Sequence, residues 1–124
     1  RLKALLPQGQ SVFNKIVFSL YGQKDIRDAL EVLKRKDLVL VGQETDVCIA
    51  QSAIDLVNAG YRVWVADDAT ASPGPHHEAG LRRMRGAGVT VSGIKGIYYE
   101  WLRDVPTAIA VETAVNKTPS DLTL

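Results

Sequence analysis

The sequence of 124 residues has a single cysteine, no long apolar run and no excess of one charge. One cysteine excludes an internal disulfide, so the chain is not a small secreted scaffold built on bridges. No apolar stretch approaches the length of a membrane span, and residues 1–7 are too short in apolar residues to form a signal peptide. These absences predict a cytoplasmic protein that does not enter a membrane.

The charge balance excludes a second group of partners. Lys and Arg total 15 against 14 for Asp and Glu, so the chain lacks the basic surplus on which nucleic-acid or anionic membrane binding depends. No Gly-x-Gly-x-x-Gly motif or phosphate-binding loop follows an apolar run, so we expect no dinucleotide and no other cofactor. The sequence therefore predicts a protein with neither a nucleic-acid partner nor a cofactor.

Apolar runs alternate with segments of helical spacing along the chain. This order is typical of βα units with a mostly parallel sheet, and it predicts the α/β class with a Rossmann-like three-layer α/β/α arrangement. The run at 38–41 is continuous and predicts the central strand. We expect strands at residues 15–18, 38–41, 63–66 and 89–91, and helices at 24–35, 46–59, 76–85 and 98–103.

Two features concern the ends of elements and the end of the chain. Gly60 stands where a left-handed residue would end the second helix. Residues 108–115 predict one or two helical turns, and residues 106–124 as a whole predict a C-terminal extension or tail. We interpret residues 1–124 as one domain.

Cys48 follows the strand at 38–41 and stands at the start of the next helix. Ligands of parallel sheets bind outside the carboxyl ends of the strands, and a helix start favours a thiolate and binds an oxyanion. The alternative is that Cys48 is a small core residue. Asp46 would disfavour the thiolate unless it points to solvent, so a catalytic thiol needs a positive partner.

Several separate stretches of the sequence carry a family resemblance. Five stretches resemble the isochorismatase-like hydrolases. They are LVGQETDVCI at 40–49, GYRV at 60–63, DA at 68–69 before Ser72, HEA at 77–79 and RMRGAG at 83–88. That family includes nicotinamidases and carbamoylsarcosine amidases, and the similarity covers residues 11–104. The resemblance implies a homo-oligomeric cysteine hydrolase that cleaves a carbon–nitrogen bond of a small-molecule amide or carbamoyl substrate through an acyl-enzyme.

The resemblance also implies roles for individual residues. Family members with cysteine use a triad of aspartate, lysine and cysteine, in which Cys48 matches the nucleophile and Lys15 matches the lysine. An ammonium group beside the sulfur supplies the positive partner that the thiol needs. The backbone N–H groups of Glu44 and Cys48 correspond to the oxyanion hole, next to a cis peptide bond between Gln43 and Glu44.

The chain departs from the family pattern at its beginning. The family aspartate and the metal ligands of the nicotinamidase branch lie before the lysine segment, so we interpret the chain as a partial domain without its first βα units. Asp25, Asp67 and Asp68 are alternatives to that aspartate, but helix-leading or loop-holding roles suit them better. We expect His76 and His77 to face solvent and predict no metal site among these residues.

Other functions stay open from the sequence. An isochorismatase-type vinyl ether hydrolase needs no cysteine, and a non-catalytic relative would bind a small molecule or act as a scaffold. A redox protein would use Cys48 as a sensor thiol. Tyr98, Tyr99 and Trp101 could line a pocket or an interface, although packing of a short helix on the sheet is the simpler prediction.

Overall fold

A computed structural model of the chain describes residues 8–115. A 3-10 turn at Leu20–Gly22 precedes the first helix, and a π-helical turn at Thr45–Ile49 leads into the second. The helices and strands, in chain order, are α1 Lys24–Leu33, β1 Asp37–Gln43, α2 Ala50–Asn58, β2 Arg62–Ala71, α3 His76–Gly86, β3 Thr90–Ser92, α4 Ile94–Leu102 and α5 Val105–Val115.

The three strands form one parallel sheet in the order β1-β2-β3. Asp37 of β1 lies opposite Arg62 of β2, and Trp64 of β2 lies opposite Thr90 of β3. Helices α2 and α3 connect the successive strands, as parallel neighbours require. The predicted α/β class is confirmed.

The core lies between one face of the sheet and helices α2 and α3. Val63 and Val65 of β2 are buried there with Leu56 of α2 and Met84 of α3. Alternate residues of β2 point to the other face, where α4 packs and buries Ile97. Full burial of such side chains contributes about 1.5–3 kcal/mol each. Helices therefore cover both faces of β2 and make the three predicted layers.

The prediction of a strand at residues 15–18 is wrong, because this segment is irregular. The Lys15 ammonium donates hydrogen bonds to the carbonyl oxygens of Val17 and Phe18, so acceptors that a strand ladder would use are bonded locally. Ile16 is 86% exposed and Phe18 62% exposed. The apolar residues at 15–18 are therefore not buried in a sheet.

The prediction that residues 38–41 form the central strand is also wrong within residues 8–115. There β1 pairs only with β2, whereas β2 pairs on both sides and takes the central position. Val41 at the end of the run is 53% exposed. A continuous apolar run predicts cover on the two faces of a strand, and it does not specify neighbours at the two edges.

Asp67 and Asp68 lie inside β2 and not in a loop after it, as the sequence had suggested. The pairing of β2 with β1 is interrupted at this point and resumes where Gly42 lies opposite Thr70. Asp68 accepts a hydrogen bond from the backbone N–H of Ile94 at 2.9 Å. Its carboxylate thus holds the start of α4, which is the kind of backbone contact that we expect for it.

Helix ends agree with the sequence where local chemistry sets them. Gly60 has a φ of 89°, in the left-handed region, and α2 ends before it. Asp25 accepts a hydrogen bond from the N–H of Ile26 in the first turn of α1. Both predictions are confirmed.

The last helix is longer than the sequence indicates. Helix α5 has 11 residues, against the one or two turns predicted for residues 108–115. Residues 116–124 of the predicted tail lie outside the described residues. None of the helices within residues 8–115 is long and apolar enough to cross a membrane.

Candidate functional site

Cys48 lies just beyond the carboxyl end of β1, in the π-helical turn that leads into α2. The N–H of Ile49 donates to the carbonyl of Glu44 at 3.0 Å, and the N–H of Ala50 donates to the carbonyl of Thr45. These bonds span five residues and open the turn more widely than an α-helix would, as is frequent at functional sites. Ile49 and Ala50 are buried, whereas Cys48 is half-buried. The thiol is therefore at the ligand-binding end of the sheet and is partly accessible.

Lys15 and Cys48 come together although 33 residues separate them. The ammonium Nζ of Lys15 lies 3.6 Å from the sulfur Sγ of Cys48. The same ammonium donates to the carbonyl of Phe18 at 2.7 Å and to that of Val17. These carbonyl contacts hold a positive charge against the sulfur, in a segment without regular secondary structure.

The peptide bond between Gln43 and Glu44 is cis, as the family resemblance implies. Glu44 precedes the π-helical turn, and its carbonyl also accepts a hydrogen bond from the N–H of Val47. The two N–H groups that we expect to bind an oxyanion are thus those of Cys48 within this turn and of Glu44 immediately before it.

The carboxylate of Asp46, whose negative charge could disfavour a Cys48 thiolate, contacts other groups. The hydroxyl of Ser72 donates to Asp46 Oδ1 at 2.6 Å, and Nδ1 of His76 lies 3.8 Å from Oδ2. The Ser72 hydrogen bond is the main cause that lowers the pKa of Asp46, and the charge of His76 lowers it further. Asp46 is therefore a carboxylate tied to the loop before α3.

We expect Ser72→Ala to raise the pKa of Asp46 toward its usual value of 3.8, because the main stabilising hydrogen bond is lost. A lowered carboxyl pKa stabilises the fold above the usual value, and this contribution disappears as the pH falls through the lowered pKa. The variant should be less stable than the wild type at pH 7, and the gap should narrow on acidification below 3.8. Urea unfolding at several pH values measures this difference in stability. A difference that stays the same at every pH would contradict the role of Ser72 in lowering the pKa of Asp46.

The two adjacent histidines differ in their surroundings. The side chain of His76 is 64% exposed, as we expect. His77 is half-buried, and its Nδ1 lies 2.9 Å from the hydroxyl of the fully buried Thr45. The prediction that His77 faces solvent is wrong, because α3 packs against the Cys48 turn. Within residues 8–115, no group of three or more His, Cys, Asp or Glu side chains is placed to hold a metal ion.

A cleft of about 690 Å³ lies at the opposite end of the sheet. Its lining includes Asp37, Arg62 and Thr90, which are the first residues of the three strands. Trp101 also lines it and is 66% exposed, although the helix that carries it, α4, packs on the sheet as predicted. Ligands of parallel sheets bind at the carboxyl ends of the strands, which favours the Cys48 turn as the functional site.

The fold and this site define a parallel α/β domain whose candidate ligand site lies at the carboxyl end of a strand. The sequence profile of the Isochorismatase domain matches residues 2–95. The chain belongs to the isochorismatase family of hydrolases.

Individual relatives agree with this assignment. Isochorismatase family protein 2A of Dictyostelium discoideum is 37% identical over 94 residues, which are 74% of this chain and 47% of that protein. The chain thus spans about half the length of the curated relatives it matches.

Two solved structures extend the similarity to the fold. YcaC from Pseudomonas aeruginosa, solved with hexane-2,5-diol and covalent acrylamide, is 25% identical with a TM-score of 0.76, covering 90% of this chain and 57% of that one. The pyrazinamidase/nicotinamidase of Streptococcus mutans is 30% identical with a TM-score of 0.59, covering 63% and 44% respectively.

Proposed function

We propose that Cys48 is the nucleophile of a hydrolase that cleaves the carbon–nitrogen bond of a small amide or carbamoyl compound. The observation that carries the proposal is the Lys15 ammonium 3.6 Å from the Cys48 sulfur. The sulfur would bond to the substrate carbonyl carbon, the carbon–nitrogen bond would break, and the amine would leave with a proton. Water would then hydrolyse the thioester, releasing the acid and restoring the thiol.

Lys15 supplies the positive charge in this scheme. The carbonyl groups of Val17 and Phe18 already orient its ammonium, so little reorganisation is needed when negative charge develops at the sulfur or the substrate oxygen. The N–H groups of Glu44 and Cys48 would bind that oxygen, as the family resemblance implies. The wide π-helical turn is consistent with this role, since it carries Cys48 and begins directly after Glu44 at one end of the sheet.

The residue that takes the thiol proton is assigned by the resemblance to an aspartate that precedes the lysine segment in the family. Asp25 and Asp68 do not suit this task, because their carboxylates already accept hydrogen bonds from the N–H groups of Ile26 and Ile94. Asp46 is engaged by Ser72. The scheme uses no cofactor and no step through a metal ion.

The comparisons support amide chemistry over other reactions of the family. One similar structure is a pyrazinamidase/nicotinamidase, whose name denotes hydrolysis of a small amide. A homo-oligomeric state and a cytoplasmic location stay predictions from the sequence and the resemblance.

Hydrolysis of a panel of small amides and carbamoyl compounds, including nicotinamide, tests the proposal through ammonia release by the purified protein. We expect Lys15→Met to lower kcat by about 10²–10³-fold, because the charge beside the sulfur is lost. Lys24→Met is the matched control, since Lys24 is exposed and pairs with Asp28 on α1.

The two variants should differ clearly. Equal activity of Lys15→Met and Lys24→Met on a hydrolysed amide would contradict the role of Lys15. Absence of turnover by the wild type on every amide and carbamoyl compound would contradict the proposed reaction.

A further inference from the structure

The loop before α3 and the first turns of that helix contact the Cys48 turn at three points. Nδ1 of His77 lies 2.9 Å from the Thr45 hydroxyl. The Ser72 hydroxyl bonds both the carboxylate and the N–H of Asp46. At Gly80 the backbone of α3 comes so close that an added Cβ would lie 2.8 Å from the Cα of Asp46.

We propose that His77 is a positioning residue for Cys48 and that it acts through Thr45. This inference rests on the proposed function of the Cys48 site. Thr45 is the first residue of the π-helical turn, and it is 0% exposed. Its hydroxyl bonds His77, while its carbonyl accepts the N–H of Ala50 and closes the turn over Cys48. One residue thus links α3 to the backbone that carries the sulfur.

The position of the sulfur matters because its partner is fixed separately. The Lys15 ammonium is held by carbonyl groups of its own segment, whereas the sulfur is held by the backbone of the Cys48 turn. The 3.6 Å between Nζ and Sγ therefore depends on where the turn holds Cys48. A misplacement of about 1 Å at a reacting group costs on the order of 10²-fold in rate. His77 controls that distance without touching the sulfur or the substrate.

His77→Ala and Thr45→Val each remove the contact, and His77→Asn keeps it, because the asparagine amide reaches the place of Nδ1. We expect the first two variants to lower kcat by roughly 10- to 100-fold with KM nearly unchanged, and His77→Asn to restore most of it. The rate of Cys48 alkylation by acrylamide should fall in parallel. Because the chain has one cysteine, intact mass reports this reaction at Cys48 alone. Combining His77→Ala with Thr45→Val should add little further loss.

Glu78→Ala is the matched control, because Glu78 is an exposed residue in the same first turn of α3. Unchanged kcat and alkylation in His77→Ala, together with a lowered Tm, would show a packing role and overturn the proposal. So would a His77→Asn variant as slow as His77→Ala. If His77→Ala does not fold, Thr45→Ser, which keeps the hydroxyl, against Thr45→Val makes the same comparison. Absence of amide turnover in the wild type contradicts the proposed function, while alkylation still tests the positioning.

Discussion

Cys48→Ala is expected to lower hydrolysis of the amide substrate by roughly 10³-fold or more, because no other group forms the acyl-enzyme. The variant should also fail to form an adduct with acrylamide, since it has no other cysteine. Ammonia release measures the first effect, and intact mass after incubation measures the second. Loss of both reactions would place the chemistry at the sulfur.

The control for this variant is its own stability. Cys48 is half-buried and small, so its replacement by alanine should leave the circular dichroism spectrum and the Tm nearly unchanged. Full turnover by Cys48→Ala would contradict the covalent mechanism. It would favour direct hydrolysis of the amide without a bond to Cys48. Rapid oxidation of Cys48 without turnover would instead favour a sensor thiol.

Gly80→Ala should lower the free energy of unfolding by about 1–3 kcal/mol. The added Cβ would lie 2.8 Å from the Cα and 2.9 Å from the N of Asp46, and 3.0 Å from the carbonyl carbon of Thr45. All three are backbone atoms, so no side chain can rotate away to make room. The strain outweighs the better helix propensity of alanine, which is about 1 kcal/mol.

Gly86→Ala is the matched control, because it makes the same change in the same helix where an added Cβ meets no atom within 4 Å. There the gain in helix propensity should stabilise the fold by up to about 1 kcal/mol. Urea unfolding of the two variants should therefore give shifts of opposite sign. Equal shifts would contradict the close packing of α3 on the Cys48 turn. Gly80→Ala should also slow acrylamide alkylation of Cys48, whereas Gly86→Ala should not.

Several observed helices and strands agree with those predicted from the local periodicity of the sequence. The helix predicted at residues 24–35 is α1, and the apolar runs at 63–66 and 89–91 fall on β2 and β3. Apolar residues repeat with the period of the element, and a glycine in the left-handed region follows the end of α2 at Gly60. Such signals act within a few residues and need no knowledge of the rest of the chain.

Part of the candidate site was also predicted from the sequence, and part was not. The motif around Cys48 placed the thiol between a strand and a helix, and the register of several motifs associated it with Lys15 across 33 residues. The contact of His77 with Thr45 had no signal in the sequence, because a histidine at a helix start is usually solvated. His77 reaches Thr45 because α3 packs closely against the Cys48 turn, as the contact at Gly80 shows.

The sequence by itself determined the α/β class, the parallel order of βα units and the family, because these follow from periodicity and from motifs read along the chain. The tertiary structure decided that β1 lies at an edge of the described sheet and that residues 15–18 stay irregular around the Lys15 ammonium. It also decided that His77 bonds Thr45 beneath the Cys48 turn. These features depend on which elements pack together, because packing brings into contact residues that are far apart in the sequence.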